Sequence, residues 1–195
     1  MARTRSFDTD EALDSAMGVF WDRGYEATSM EDITLATSLS RSSIYAAFGS
    51  KRGLFDAVTD RYLEGIDLML EPLEGHDGGL DSIVGFFEGW RSQIRGDKDG
   101  SLGCLMINTM AERGHIDPRI VKAGNDYLER LSSAFHGALV GAAERGEIPQ
   151  TRVDRLAEVL MLLTTGLFVA SRGQDVERIE SLLDTAVAEV LSWRA

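Results

Sequence analysis

Residues 28–48 read TSMEDITLATSLSRSSIYAAF, and the division of this stretch decides the fold. Met30, Ile33 and Ala36 recur at helical spacing, Thr37-Ser38-Leu39-Ser40 interrupts them, and Ile44 and Phe48 set an apolar face four residues apart on the segment beyond the break. Two short helices joined by a tight polar turn form a helix-turn-helix pattern. The second helix then exposes Arg41, Ser42, Ser43, Tyr45 and Ala46. A cation, hydroxyls, a phenol and a methyl are the groups that reach phosphates, base edges and thymine methyls when a helix enters the major groove.

Upstream, Leu13, Ala16, Met17 and Phe20 mark an amphipathic helix that ends in Arg23-Gly24-Tyr25. Thr28 and Ser29 each have an acid three residues on, Glu31 and Asp32, so either can cap the next helix. Downstream, Ile44, Tyr45, Phe48, Lys51 and Leu54 close the block. With these features, residues 8–58 resemble the N-terminal domain of the TetR family of bacterial transcriptional regulators. The family usually has Gly where Ser38 stands and His where Ala47 stands. The resemblance implies that Arg41 and Ser43 read bases, with Ser42 beside them. It implies that Tyr45 and Lys51 hold phosphates, that Thr28 and Ser29 bond phosphate at a helix N-terminus, and that Ala46 approaches a methyl group. It also implies a homodimer through the last two helices that binds a palindromic double-stranded operator and is released by a small-molecule inducer.

The rest of the chain reads as helix throughout, giving an all-α protein of about nine helices. Pro occurs 3 times in 195 residues, and no segment alternates with period two between Gly-Asn turns. We expect a three-helix DNA-binding domain over residues 1–52 and a helical ligand-binding and dimerisation domain over 53–195. A fourth helix links them through Leu54, Phe55, Val58, Tyr62, Ile66 and Met69, stopping at Pro72. The loop 71–79 precedes a fifth helix carrying Ile83, Phe87, Trp90 and Ile94, and 96–101 breaks the chain again. A compact helix over 102–113 comes next. Asp117-Pro118 then launches a long helix that Gly146 ends. The segment 152–171 is apolar on nearly every side and must be covered on all of them. A last helix over 176–193 adds a wide apolar stripe.

A net charge of −12 opposes DNA binding taken as a whole, yet residues 1–52 hold 6 Lys or Arg against 8 Asp or Glu, so the acidity lies mainly further on. Arg41, Lys51 and Arg52 sit at the contact face, with Arg3 and Arg5 in the N-terminal tail. The longest apolar run, 159–170, falls well short of the ~20 residues of a membrane span, and the first residues carry no secretory signal. A single Cys excludes an internal disulfide and fits a reducing cytoplasm.

The expected ligand pocket draws on the inward faces of helices five to eight: Phe86, Trp90, Cys104, Met106, Met110, Tyr127, Phe135, Met161, Thr165 and Phe168. Met and aromatic side chains adapt to apolar ligands, and each also serves as ordinary core. Cys104 opens the sixth helix, where a thiolate gains from the helix N-terminus, so an oxidant- or electrophile-sensing role is the alternative. The Gly103-Cys104-Leu105 start resembles a TetR subgroup with a sensing cysteine at this place. An enzyme using Cys104 with His115 or His136 as base, or a helical adaptor, is the remaining alternative. No HExxH is present, and Glu-x-x-His occurs once, at Glu112 and His115, without the second copy a di-iron bundle needs, so no metal or cofactor is indicated.

Overall fold

The computed structural model describes residues 8–74, 78–96, 103–173 and 175–194. Among them lie nine α-helices, one 3-10 turn and no strand. Arg3, Arg5, His76, Leu102 and the break at 97–101 fall outside the described residues.

The first helices are α1 (Thr9–Arg23), α2 (Met30–Thr37), α3 (Arg41–Phe48) and α4 (Lys51–Glu74). The Asp8 carboxylate caps α1 by accepting the Asp10 and Glu11 amides at 2.9 and 3.3 Å, and Gly24, at φ 80°, ends the helix. Ala16, Phe20, Ile33, Ile44, Leu54, Phe55 and Val58 are all essentially buried and form one core. Phe20 meets Phe55 edge to face at 5.0 Å, and Trp21 meets Tyr62 at 5.2 Å. The Arg61 guanidinium grips Asp14 with both arms at 2.5 and 2.8 Å.

These contacts explain why the chain divides into compact units at Gly65/Ile66, inside α4. The first half of α4 supplies core to the helix-turn-helix. Pro72 does not stop α4, which runs to Glu74. A proline in the last turn removes one backbone hydrogen bond, and full burial of Leu70 and Leu73 holds that turn in place.

Ser38 ends α2 at φ 54°, ψ 20°, the one non-glycine left-handed residue among those described. A side chain in that region costs about 1 kcal/mol relative to glycine. Ser38→Gly is therefore expected to stabilise the protein by roughly 0.5 to 1 kcal/mol in chemical denaturation. A destabilised variant would show that the serine side chain supports the turn.

The second unit contains α5 (Leu80–Gly96), α6 (Leu105–Arg113), α7 (Pro118–Glu144), α8 (Val153–Ala170) and α9 (Val176–Ser192). Helix α5 packs on α7 and α9, and α7 packs on α6 and α8. The α5 and α9 helices run antiparallel beneath a ladder of ion pairs: Asp81 with Arg194 at 2.7 Å, Arg91 with Asp184 at 2.8 Å, and Arg95 with Glu180. Pro118 occupies the first turn of α7 behind an Asp117 cap. Gly146, at φ 73°, ends it, with the Glu147 amide bonded to the Ala142 carbonyl at 2.9 Å and the Gly146 amide to Ala143 at 3.0 Å. Glu147 then turns back and accepts the Leu80 amide at the start of α5 at 3.2 Å.

Hydrogen bonding to Arg61 lowers the pKa of Asp14, bonding to Ser29 lowers that of Asp32, and bonding to Arg95 lowers that of Glu180. A carboxylate with a depressed folded-state pKa contributes stability above its unfolded pKa and loses it as the pH falls through the folded value. Melting temperature is thus expected to hold from pH 7 to about 5 and to fall progressively below about pH 4. Neutralising Asp14 by Asp14→Asn should reduce that acid sensitivity.

Candidate nucleic-acid interface

Helix α2 starts on a reciprocal cap. Ser29 Oγ accepts the Asp32 amide at 3.1 Å, and Asp32 Oδ2 accepts the Ser29 amide at 2.8 Å and the Ser29 hydroxyl at 2.7 Å. Arg23 Nη1 closes on Asp32 Oδ1 at 2.5 Å, joining the end of α1 to the start of α2. The expectation for Thr28 needs correction. Its side chain is 1% exposed and its hydroxyl donates to the Gly24 carbonyl at 2.6 Å, so it locks the turn and has no surface to offer a phosphate. Ser29 is exposed, but its hydroxyl hydrogen is committed to Asp32 and would have to be released to reach a phosphate.

Helix α3 is built from one inward and one outward face. Ile44 is fully buried and pins the helix, while Ser40 caps it by accepting the Ser43 amide at 3.1 Å. The same Ser40 hydroxyl lies 2.8 Å from Ser42 Oγ and 2.9 Å from Ser43 Oγ, so these side chains are held before any ligand arrives. Arg41, Ser42, Tyr45 and Ala46 lie together on the solvent side, and Ser43 is half-buried at its edge. Among the described residues, no carboxylate pairs with Arg41 or Lys51. Lys51 Nζ instead stands 4.4 Å from the centroid of the Tyr25 ring. Leu35 of α2 is 83% exposed, an apolar side chain in solvent that the periodicity of the helix did not single out.

Residues 12–58 match the bacterial regulatory proteins of the tetR family, and residues 79–188 match the Tetracyclin repressor-like C-terminal domain. The chain belongs to the TetR family. It is 33% identical over 191 residues to the HTH-type transcriptional repressor ComR of Escherichia coli, covering 95% of this chain and 90% of that one. It is 30% identical over 192 residues to the HTH-type transcriptional regulator YezE of Bacillus subtilis, covering 96% and 98%. Among solved structures it is similar to the TetR family regulator CifR, a cysteine mutant complexed with 26bp double-strand operator DNA. That match has 26% identity, a TM-score of 0.79 and full coverage of both chains. This TetR-family chain is thus a DNA-binding transcriptional regulator.

In the C-terminal unit of this TetR-family regulator, Phe86, Trp90, Cys104, Met106, Tyr127, Phe135 and Phe168 are buried, and Met110, Met161 and Thr165 are half-buried. Their aromatic members form two groups. Phe86 packs edge to face on Phe135 at 5.2 Å, whereas Phe168 lies 4.8 Å from Trp90 and 6.4 Å from Tyr127. Cys104 caps α6 by position only, without a side-chain bond to that helix; its thiol lies 3.5 Å from the Tyr127 hydroxyl and is 1% exposed. Met110 lies against Gly124, where an added Cβ would stand 2.2 Å from its sulfur.

The residue that sequence reasoning missed is Thr164. It is fully buried, and its hydroxyl has no hydrogen-bond partner, whereas the neighbouring Thr165 is half-exposed. The signal was present in the register, since Leu160, Thr164 and Phe168 share a face at i, i+4 spacing. The described residues contain no helix long and apolar enough to cross a membrane and no cluster of metal-ligating side chains.

Proposed function

We propose that the protein is a ligand-responsive repressor that binds a palindromic operator as a homodimer and is released by a small molecule. The observation that carries this reading is the α3 surface: Arg41, Ser42, Tyr45 and Ala46 exposed together on a helix pinned by Ile44 and capped by Ser40. The repressor sign follows relatives described as repressors, ComR among them. In this reading Arg41 and Ser43 read bases, Tyr45 and Lys51 take phosphates, and the domain boundary for DNA binding lies near residue 52, with α4 carrying the link.

A second copy of the chain is the partner that suits α8. Leu162 is 74% exposed and Val169 60% exposed, on one face with Gly166, and Leu191 of α9 is 45% exposed. A Cβ at Gly166 would meet nothing within 4 Å, so a second helix can approach closely there. A two-fold dimer covers the same stripe on both copies and sets two recognition helices about 34 to 36 Å apart, one helical turn of DNA. Selection of bound fragments from random duplex DNA, followed by sequencing, tests the whole reading. Enrichment of a palindrome with half-sites one turn apart supports it, and no enrichment by a folded dimer sinks it.

The inducer site in this reading is the Trp90, Tyr127 and Phe168 group, and Thr164 is the polar group that orients the ligand. An apolar or aromatic molecule with one hydrogen-bonding function suits such a site. The ligand acts through its differential affinity for the operator-bound and released states of the dimer. The buried hydroxyl costs stability in the free protein. Thr164→Val is expected to raise stability by about 1 to 2 kcal/mol, or a few degrees in melting temperature, while weakening inducer response. A destabilised variant would mean that the hydroxyl is satisfied and has no ligand role. The burial of Cys104 against Tyr127 favours a packing role for that thiol over the sensing alternative.

A further inference from the structure

Helix α4 opens with Lys51 and Arg52 and has no acid in its first turn. Cations at a helix N-terminus oppose the helix dipole, so folding alone gives no reason for them. Arg52 is offset by Asp56, one turn on, at 2.7 Å. Lys51 is treated differently. Its ammonium stands over the face of Tyr25, and that ring is itself fixed, stacked on Phe20 at 6.1 Å and packed edge to face on Phe55 at 4.9 Å.

A lysine side chain is flexible and loses much rotamer freedom when it binds an anion. An aromatic face restrains the ammonium without neutralising it, which a carboxylate would do. We propose that Tyr25 is a positioning residue for DNA binding, whose ring holds the Lys51 ammonium ready to meet a backbone phosphate. The proposal rests on the phosphate role of Lys51. Tyr25 itself touches no DNA in this arrangement. Its contribution is to reduce the ordering cost of Lys51 at both half-sites of the operator.

The test is the salt dependence of binding to the selected operator duplex by wild type, Lys51→Ala, Tyr25→Leu, the double variant and Tyr25→Phe. Lys51→Ala should lower the log-log salt slope by about one per half-site, and an unchanged slope would sink the phosphate role and the proposal with it. With that slope change in hand, Tyr25→Leu should weaken binding roughly fivefold to thirtyfold for a dimer and add little to Lys51→Ala. Tyr25→Phe, which keeps the ring face, should bind as wild type. Equal weakening by Tyr25→Leu in both backgrounds would reduce Tyr25 to a packing residue and overturn the positioning role. Should Tyr25→Leu fail to fold, proton NMR of the free protein decides. The Lys51 ε-methylene protons should be shifted upfield by the ring in wild type and in Tyr25→Phe, and unshifted protons would overturn the proposal.

Discussion

Leu162→Glu combined with Val169→Glu is expected to yield a folded monomer that no longer binds operator at concentrations where the wild type saturates it. Both side chains are largely exposed in the single chain, so glutamates there remain in water and leave the helical core intact. In the proposed dimer they are covered. Each apolar side chain gains about 1.5 to 3 kcal/mol on full burial, and each occurs twice across the two-fold axis. Replacing them with like charges facing one another should weaken association by about a thousandfold or more. Analytical ultracentrifugation reads the mass, circular dichroism confirms the fold, and an operator titration reads the loss. A variant that remains dimeric would place the subunit interface elsewhere on the chain. One that becomes monomeric yet binds operator as before would separate recognition from dimerisation.

The sequence made the helix-turn-helix legible because its signals are local. Ile44 as an inward anchor and Arg41 as an outward cation both come from spacing within a single turn, and the structure places both of them there. Thr28 was misread because its hydroxyl is used by a carbonyl, that of Gly24, which comes within reach only when the turn after α1 has formed. Its competitor Ser29 has the same residue pattern and takes the cap. Pro72 was read as a stop because local propensity disfavours it inside a helix, but tertiary burial of Leu70 and Leu73 outweighs that preference in a last turn. The near-uniform apolarity of α8 raised the question of cover without telling which face the chain itself leaves open. Only the packing shows that Leu162, Gly166 and Val169 are that face, and that Thr164, not Thr165, is the buried hydroxyl.

Arg41→Ala is expected to cost about 1 to 3 kcal/mol per half-site, which for two half-sites amounts to a loss of roughly 30-fold to ten-thousandfold in operator affinity. The position of Arg41 is the reason for choosing it. It is the first residue of α3, the end of a recognition helix that meets base edges, and no acid in that first turn offsets it. A cation there works against the helix dipole, so its presence is better explained by an external acceptor than by folding. Guanine presents two acceptors in the major groove that match the fork of a guanidinium, and lysine cannot reproduce that pairing. Arg41→Lys should therefore recover little of the loss, although it restores the charge. Binding to operators carrying each of the four bases at every position should show discrimination collapsing at one position per half-site, with the rest unchanged. A uniform loss across all sequences, accompanied by a smaller salt slope and rescued by lysine, would instead assign Arg41 to the phosphate backbone and leave base reading to Ser43 and its neighbours.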